Sequence, residues 1–568
     1  MQSTFHGLET ARRAMMTQQY ALHTTGHNIA NANTEGYTRQ RVNFQQTEAY
    51  PSIGKNAPRL PGNLGTGVAA GSIQRVRDAF LDVQYRTENN KVGYWDSRAK
   101  ALEKMEDILN EPSNEGLNQQ IDMLWMGLQD LSVDPEDTGA RSVVRQRAVA
   151  VAETLNYLAN SLSAVRNDYK NEIQVTETEV NALLNQLNNV NEQIRKTEPH
   201  GYVTNDLYDQ QDQLLDQLSG IVNIQVQREK SGGQPNAAAE GAVTVYLLDE
   251  QGNRSMILVN GKSLDPNDPD DYSHAKMSID LSGDYVNNIA FFKHDADVND
   301  LASVPLGQMG AAEIGNGELK ALIEAYGYVL TNGDGEQTVH GLYPDMLAEL
   351  DTMAKTFADE LNAIHSSGYT LGTESDPAVL GGNFFVFDDA NPARSIKVSN
   401  DILTNLNKIA ASSVNPNALT VESRASYEAL MNEHPVNFTA VSNFLSEEAE
   451  FRDNIARSFP GNGTNAKHLA NAKDASLFSN GGTIGSYYQS VIGEMAVSAQ
   501  EANRMVRTAG TLRDSVDFRR QSVSNVSLDE EMTLMIQYQH AYNAAARNIT
   551  MVDEMLDRII NGMGVVGR

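Results

Sequence analysis

At 568 residues the chain is too long for one compact domain, and length alone sets a prior of roughly three to four. Hydrophobic residues make up 40% of it, enough for packed cores, which excludes wholesale disorder. With 44 Lys and Arg against 74 Asp and Glu the formal net charge is −30, which repels nucleic acid and anionic lipid, and the lack of cysteine removes disulfides, thiolate metal sites and cysteine nucleophiles.

No apolar run approaches the ~20 residues of a membrane span, so no membrane insertion is expected. Met1 to Tyr20 carries two arginines but no apolar core and no small-residue cleavage site, so a cleaved secretory signal is not expected. Instead the opening segment has a seven-residue repeat. Met1, Leu8, Met15, Leu22 and Ile29 form one line, with Thr4, Ala11, Gln18, Thr25 and Ala32 on the companion line. That pattern predicts a helix with a narrow seam rather than a globular face. Asn28, Asn31 and Asn33 are weak helix formers and Gly36 suits a helix stop, after which Tyr37 to Gln46 alternates around Val42 and Phe44 and reads as extended.

A helix is expected from about Leu81 to Asn110. From Leu155 the apolar steps Leu158, Leu162, Val165, Tyr169, Ile173, Val180, Leu183, Leu187, Val190 and Ile194 alternate threes and fours, which predicts a rod-like helix ended by Pro199 and Gly201. A second helix over Leu207 to Leu218 folds back. Then come β-like runs at Ile221 to Val226, Val243 to Leu248, Met256 to Val259, Met277 to Leu281 and Ile289 to Phe292, separated by turn signals such as Gly232-Gly233 and Asn260-Gly261. Helix returns over Gly317 to Tyr328, Tyr343 to His365 and Ile484 to about Arg520, with mixed signals between 366 and 480. The last segment mirrors the first. Leu528, Met535, Tyr542, Ile549 and Leu556 repeat every seven residues beside Glu531, Tyr538, Ala545, Val552 and Ile559, behind Ser527 and three acids that suit a helix start.

The expected fold class is α+β: an elongated multidomain chain whose N- and C-terminal helices pair as a coiled coil, with a long helical-bundle rod and inserted β-rich domains. The expected units are 1–60 with 520–568 (terminal helical assembly), 61–221 with 311–390 and 480–519 (helical rod), 222–310 (β-rich insertion) and 391–479 (variable mixed α/β insertion).

Candidate chemistry is thin. Gly261-Lys262-Ser263 looks like the end of a phosphate loop, but Met256 stands where the leading glycine belongs, so Asn260-Gly261 reads as a turn. His23 and His27 are four apart on a helix, yet Thr24 replaces the metalloprotease glutamate and no third ligand is in sight. Asn332 to Glu336 and the acidic run Asp265 to Asp271 lack the spaced carboxylates of an EF-hand and read as turns. There is no Gly-x-Ser-x-Gly elbow. No catalytic residue, metal ligand or cofactor is expected.

The specific signals are at the ends. Gly26-His27-Asn28-Ile29-Ala30-Asn31-Ala32-Asn33-Thr34-Glu35-Gly36-Tyr37-Thr38-Arg39-Gln40 closely resembles the N-terminal motif of the bacterial flagellar rod, hook and hook-associated proteins. Ser524 to Met532 and Gln537 to Arg547 resemble the matching C-terminal motif. Within that group the chain looks most like the FlgK family of first hook-filament junction proteins, on Asp529-Glu530-Glu531, Tyr542 to Arg547, Asn205 to Ser219, Gly317-Glu318-Leu319, Leu361-Asn362-Ala363-Ile364-His365 with Gly368, and Thr483-Ile484 with Tyr487-Tyr488. One departure is Gln211, where the family usually has arginine. The resemblance is weak over about 230–310 and 390–470.

The resemblance implies a structural, non-enzymatic subunit exported through the flagellar type III apparatus. It implies a homo-oligomeric ring outside the cell at the hook tip, between hook protein and the second junction protein (FlgL), and an export chaperone (FlgN) acting on the C-terminal region. Another axial subunit, a hook or distal rod protein, is the alternative. The expected assembly interface is Leu8, Met15, Leu22, Ile29, Asn28, Asn31, Asn33, Gly36 and Tyr37 at one end, and Leu528, Met535, Tyr538, Tyr542, Ile549, Val552 and Leu556 at the other. A seam this narrow buries little against the ~1–2 kcal/mol that ordering each residue costs, so both end helices are expected to condense only in the assembly.

Overall fold

The computed structural model describes residues 4–50, 64–111, 113, 116–262, 271–295, 305–331, 335–373, 377–433, 435–447, 461–478 and 481–562. Helix α1 (Thr4–Ala30) leads into an antiparallel hairpin of β1 (Gln40–Gln46) and β2 (Val68–Arg75), with a register shift between Asn43 and Phe44. Helices α2 (Ala79–Leu109), α3 (Leu117–Val133), α4 (Thr138–Thr197) and α5 (Asn205–Ile221) follow. Neither β2 nor α3 stood out in the sequence. β2 reads Val-Ala-Ala-Gly-Ser-Ile, too small and mixed to alternate visibly.

The 60-residue α4 is the spine, about 90 Å long at 1.5 Å per residue. It starts well before Leu155. Asp137 caps it, its carboxylate accepting from the Gly139 and Ala140 amides, and Val144, Ala148, Val151 and Ala152 extend the buried stripe upstream. The alanines there carry little hydrophobic signal, which hid the first turns. The helix gives way at Glu198–His200 to a single tight turn, and Gly201 takes φ 87°. α5 then returns along α4 and α2, burying Tyr208, Leu215 and Leu218.

Two three-stranded antiparallel sheets come next. One is β3 (Ile224–Glu229), β4 (Ala242–Leu248) and β5 (Arg254–Val259); the other is β6 (Ala275–Ile279), β7 (Asn288–Lys293) and β8 (Gly307–Gly310). α4 holds both with paired asparagines. Asn191 donates to the Val243 carbonyl and accepts from its amide (2.8 and 3.0 Å), and Asn181 does the same for Met277 (2.8 Å each). Each side-chain amide stands in for a neighbouring strand.

Helix α6 (Glu318–Tyr326) stops at Gly327 (φ 113°), short of the expected Tyr328, which instead begins strand β9 (Tyr328–Thr331), paired with β10 (Gln337–His340). Helix α7 (Leu342–Ser366) carries Asn362 and His365 on one side, and these pin the following segment. Asn362 accepts from the Phe384 and Phe385 amides and donates to the Phe385 carbonyl; His365 contacts the Gly382 carbonyl through Nδ1 (2.6 Å) and accepts from the Ala410 amide at Nε2 (2.9 Å). A side chain at Gly368 would collide with Asn465, which bonds the Ile364 and Ala410 carbonyls. Short elements then build a small second core of Tyr369, Val414, Tyr427, Val441 and Leu445. The chain closes with two long helices. Ile484–Ser524, opened by a Thr483/Ser486 capping box, runs back along α2, and Leu528–Gly562 runs back along α1.

Candidate assembly interface

The N-terminal motif forms a tight turn organised by one side chain. Asn28 is 1% exposed at the end of α1. Its Oδ1 accepts from the Tyr37 hydroxyl (2.8 Å) and the Gln40 amide (3.0 Å), and its Nδ2 donates to the Gln40 carbonyl (2.8 Å). Asn28 therefore pairs with the first residue of β1 as a strand would, and locks the angle between helix and hairpin. Burial, then the charges of Asp206, Asp209 and Glu531, push the Tyr37 phenol well above its ordinary range, so it stays a donor. Asn31 donates to the His27 carbonyl and accepts from the Thr34 hydroxyl, while Gly36 completes the turn at φ 78°. Asn33 is exposed.

This turn meets the end of the penultimate helix and the start of the C-terminal helix through Arg39. Its amide donates to the Ser524 carbonyl (2.9 Å), Nε reaches Glu531 (2.7 Å) and an Nη reaches Glu530 (2.8 Å). Glu531 is almost fully buried and its second oxygen has no partner. Phe44 of β1 meets Tyr538 edge-on at 5.9 Å, and a Cβ on Gly7 of α1 would lie 3.7 Å from Val552, so the hairpin and α1 both touch the last helix.

The seam is shallower than a protein core. On α1 the line of Leu8, Met15, Leu22 and Ile29 is only half-buried, and the deepest positions are small or polar: Ala11, Thr17, Ala21, Thr24, Thr25 and Asn28. Thr17 and Arg13 reach the β2 side, bonding the Val68 and Thr66 carbonyls. On the last helix Met535, Tyr538, Tyr542, Ile549, Val552 and Leu556 are half-buried, Ala545 is buried and Leu528 is exposed. Outside the seam, Phe5, Met16, Tyr20, Met532, Ile536, Met551, Met555 and Ile560 face solvent.

Sequence reading missed the joint beneath the turn, a cluster of buried charges. Asp212 of α5 is 2% exposed and lies within 2.8–3.4 Å of guanidinium nitrogens from Arg75, Arg77, Arg86 and Arg228. Arg75 also binds Asp209 and Glu240, Arg77 binds Asp82, and Arg86 binds Asp216 (2.6–2.8 Å). Arg520 from the penultimate helix binds Asp216 at 2.5 Å and stacks over Tyr85. Five separate elements thus converge on one point. Burial alone pushes the Asp212 carboxyl up, but Arg77, Arg75, Arg228 and Arg86 together hold it far below the usual carboxylate range. Gln211, the departure from the family pattern, is fully buried, donating to Asn191 and accepting from Arg228 (2.8 and 2.9 Å). The arginine comes from β3 instead. No spacing rule links these residues, which lie up to hundreds of positions apart; only the Asn205–Ser219 resemblance touched them.

The other sequence candidates take structural places. His27 Nδ1 sits 3.0 Å from the Tyr37 hydroxyl, and His23 is exposed. The Gly261 amide donates to Thr244 and the Lys262 carbonyl accepts from Arg195. Ser263, Asp265 to Asp270 and Asn332 to Asp334 lie outside the described residues. Among the described residues no cluster of three or more metal-binding side chains occurs, and no helix is long and apolar enough to cross a membrane.

Paired terminal helices tied through a buried asparagine turn, on a long helical rod, make this chain a structural subunit of the flagellar axial class. Residues 8–38 match the flagella basal body rod protein family and 520–562 the C-terminal family of the basal body rod FlgEFG proteins. Between them, 102–385 match the helical domain of flagellar hook-associated protein FlgK. Flagellar hook-associated protein 1 of Bacillus subtilis (strain 168) is 40% identical over 578 residues, covering all of both chains. The chain belongs to the FlgK family of flagellar hook-associated proteins. Its fold is also similar to the solved flagellar hook junction protein FlgK of Burkholderia pseudomallei, with a TM-score of 0.55 at 13% identity, covering 77% of this chain and all of that one.

Proposed function

We propose that the chain is a non-enzymatic subunit of the ring that joins hook to filament, assembling through its two terminal helices after type III export. The observation that carries this is the outward face of those helices. A pair whose seam is only half-buried still leaves Phe5, Met532, Ile536, Met551 and Ile560 in water, which suits a surface that neighbouring subunits cover. On this reading residues 1–60 with 520–568 form the assembly unit, 61–221 with 311–390 and 480–519 the rod, and 222–310 and 391–479 its insertions. The neighbours are further copies of the chain, hook protein and the second junction protein FlgL. FlgN escorts the C-terminal region before export, and the assembled subunit is extracellular.

The test is complementation of a strain that sheds filament protein for lack of a junction. Restored filaments are expected from the intact chain. Ile549→Asp is expected to be exported with its rod folded and yet to restore none. Restoration by that variant would place assembly elsewhere, and export of the intact chain without filaments would remove the junction role.

A further inference from the structure

The outward face of the terminal helices is rich in one residue type. Of the chain's 19 methionines, eight lie in residues 1–35 and 525–568. Among the described residues only five methionines are exposed, and four of these are Met16 (45%), Met532 (56%), Met551 (57%) and Met555 (43%); the fifth is Met126 in α3. The interior methionines Met105, Met277 and Met353 are 1–2% exposed, and among the described residues every exposed thioether but that of Met126 lies on the terminal helices. On the last helix Met551 and Met555 are four apart, as are Met532 and Ile536, so each pair shares a face of the helix. Those residues point away from the seam defined by Tyr538, Tyr542, Ala545 and Ile549.

Methionine is unbranched and polarizable, which lets one surface pack against neighbours of different shape. The same thioether is open to two-electron oxidation. We propose that Met16, Met532, Met551 and Met555 are modification sites at which oxidation of the free subunit to methionine sulfoxide blocks its incorporation. This rests on the assembly reading above. In the step, the sulfur lone pair attacks a peroxide oxygen, the O–O bond breaks, one oxygen stays on sulfur as S=O and the other leaves as water, so the thioether is oxidised and hydrogen peroxide reduced. The product is polar and chiral where the contact is apolar. Burying it without a donor works against incorporation, whereas a subunit already in place has these sulfurs covered. Sulfoxide reductases reverse the change.

The experiment uses the purified full-length chain treated with graded hydrogen peroxide, peptide mass mapping of sulfoxides, and incorporation onto isolated hooks. Sulfoxide is expected at Met532, Met551, Met555 and Met16 well before Met105, Met277 and Met353. Incorporation is expected to fall roughly tenfold or more, the scale of one uncompensated buried polar group, and to recover after reductase treatment. Met16→Leu/Met532→Leu/Met551→Leu/Met555→Leu keeps the apolar face and is expected to incorporate normally before and after peroxide. Normal incorporation of chain oxidised at these positions overturns the inference, as does equal peroxide sensitivity of the leucine variant. If the untreated chain fails to incorporate, the assembly reading itself has failed; if it incorporates and the oxidised chain does too, only the oxidation site has.

Discussion

Removing the Asp212 carboxylate should be among the most costly single changes in the rod. Five arginines (Arg75, Arg77, Arg86, Arg228 and Arg520) face six acids (Asp82, Asp209, Asp212, Asp216, Glu240 and Asp517) in one cluster, and Asp212 is the acid that touches four of the arginines. Asp212→Asn keeps the shape and one acceptor but takes from the buried guanidinium groups of Arg75, Arg77 and Arg86 the counter-charge they share. Breaking a buried pair on one side costs about 3–5 kcal/mol, and the shared position puts this variant at the upper end. A surface comparison is Asp96→Asn, which removes the exposed pair with Lys100 and is worth about 0.5 kcal/mol or less. Urea unfolding followed by circular dichroism, with amide exchange of α5 as the local probe, reads both. A loss below about 1 kcal/mol for Asp212→Asn would mean that the cluster is hydrated and the charge argument wrong. pH gives a second handle. The folded carboxyl titrates far below its unfolded value of about 3.9, so its contribution is complete above that value and is lost as pH falls below it. The acid limb of the wild-type stability curve below about pH 4 should therefore be steeper than that of Asp212→Asn.

Asn28→Ala removes three hydrogen bonds and strands the Gln40 amide, at a cost of about 1–3 kcal/mol; faster amide exchange over residues 37–46 with an unchanged rod is the expected reading, and unchanged exchange counts against the turn as a lock. Burial is the main cause holding the His365 imidazole down at about 4, so the folded chain stays neutral there while the unfolded chain takes up a proton. The contribution of His365 to stability should fall as pH drops from about 6.5 to about 4, by roughly 1.4 kcal/mol per unit, and level off below, where the carboxylates take over; a flat profile between pH 7 and 4.5 would contradict this. In the monomer, exchange should be fast throughout 4–30 and 528–562 relative to α4, because the seam between those helices is half-exposed; strong protection of both would show that they are already rigid when free.

How legible the chain was depended on whether a feature is local. Heptads at the ends, the α4 stripe after Leu155 and the β runs between 243 and 292 are patterns within one element, and the structure puts elements there. The first turns of α4 and strand β2 were hidden because alanine, glycine and serine pack well by being small and leave no periodic signal. On α1 the heptad picks out the large residues, but helices that approach closely put their small ones innermost, so Ala11, Ala21 and Thr25 lie deeper than Leu8 or Leu22.

The joint was illegible for a different reason. Asp212 reads as one more acid among 74, and its partners come from β2, α2 and β3, with Arg520 reaching the neighbouring Asp216 from the penultimate helix. What a sequence does show is the mark such a joint leaves on its neighbours. Asn28, Tyr37 and Arg39 stood out as a motif, and each is held by partners that lead toward the cluster: Thr38, between Tyr37 and Arg39, donates its amide to Asp209 and accepts from Arg77 at its hydroxyl. The motif is thus the exposed edge of a buried charge network. Its residues set the angle at which the terminal helices leave the rod, so substitutions at Asp212 should alter assembly as well as stability, although Asp212 touches neither helix.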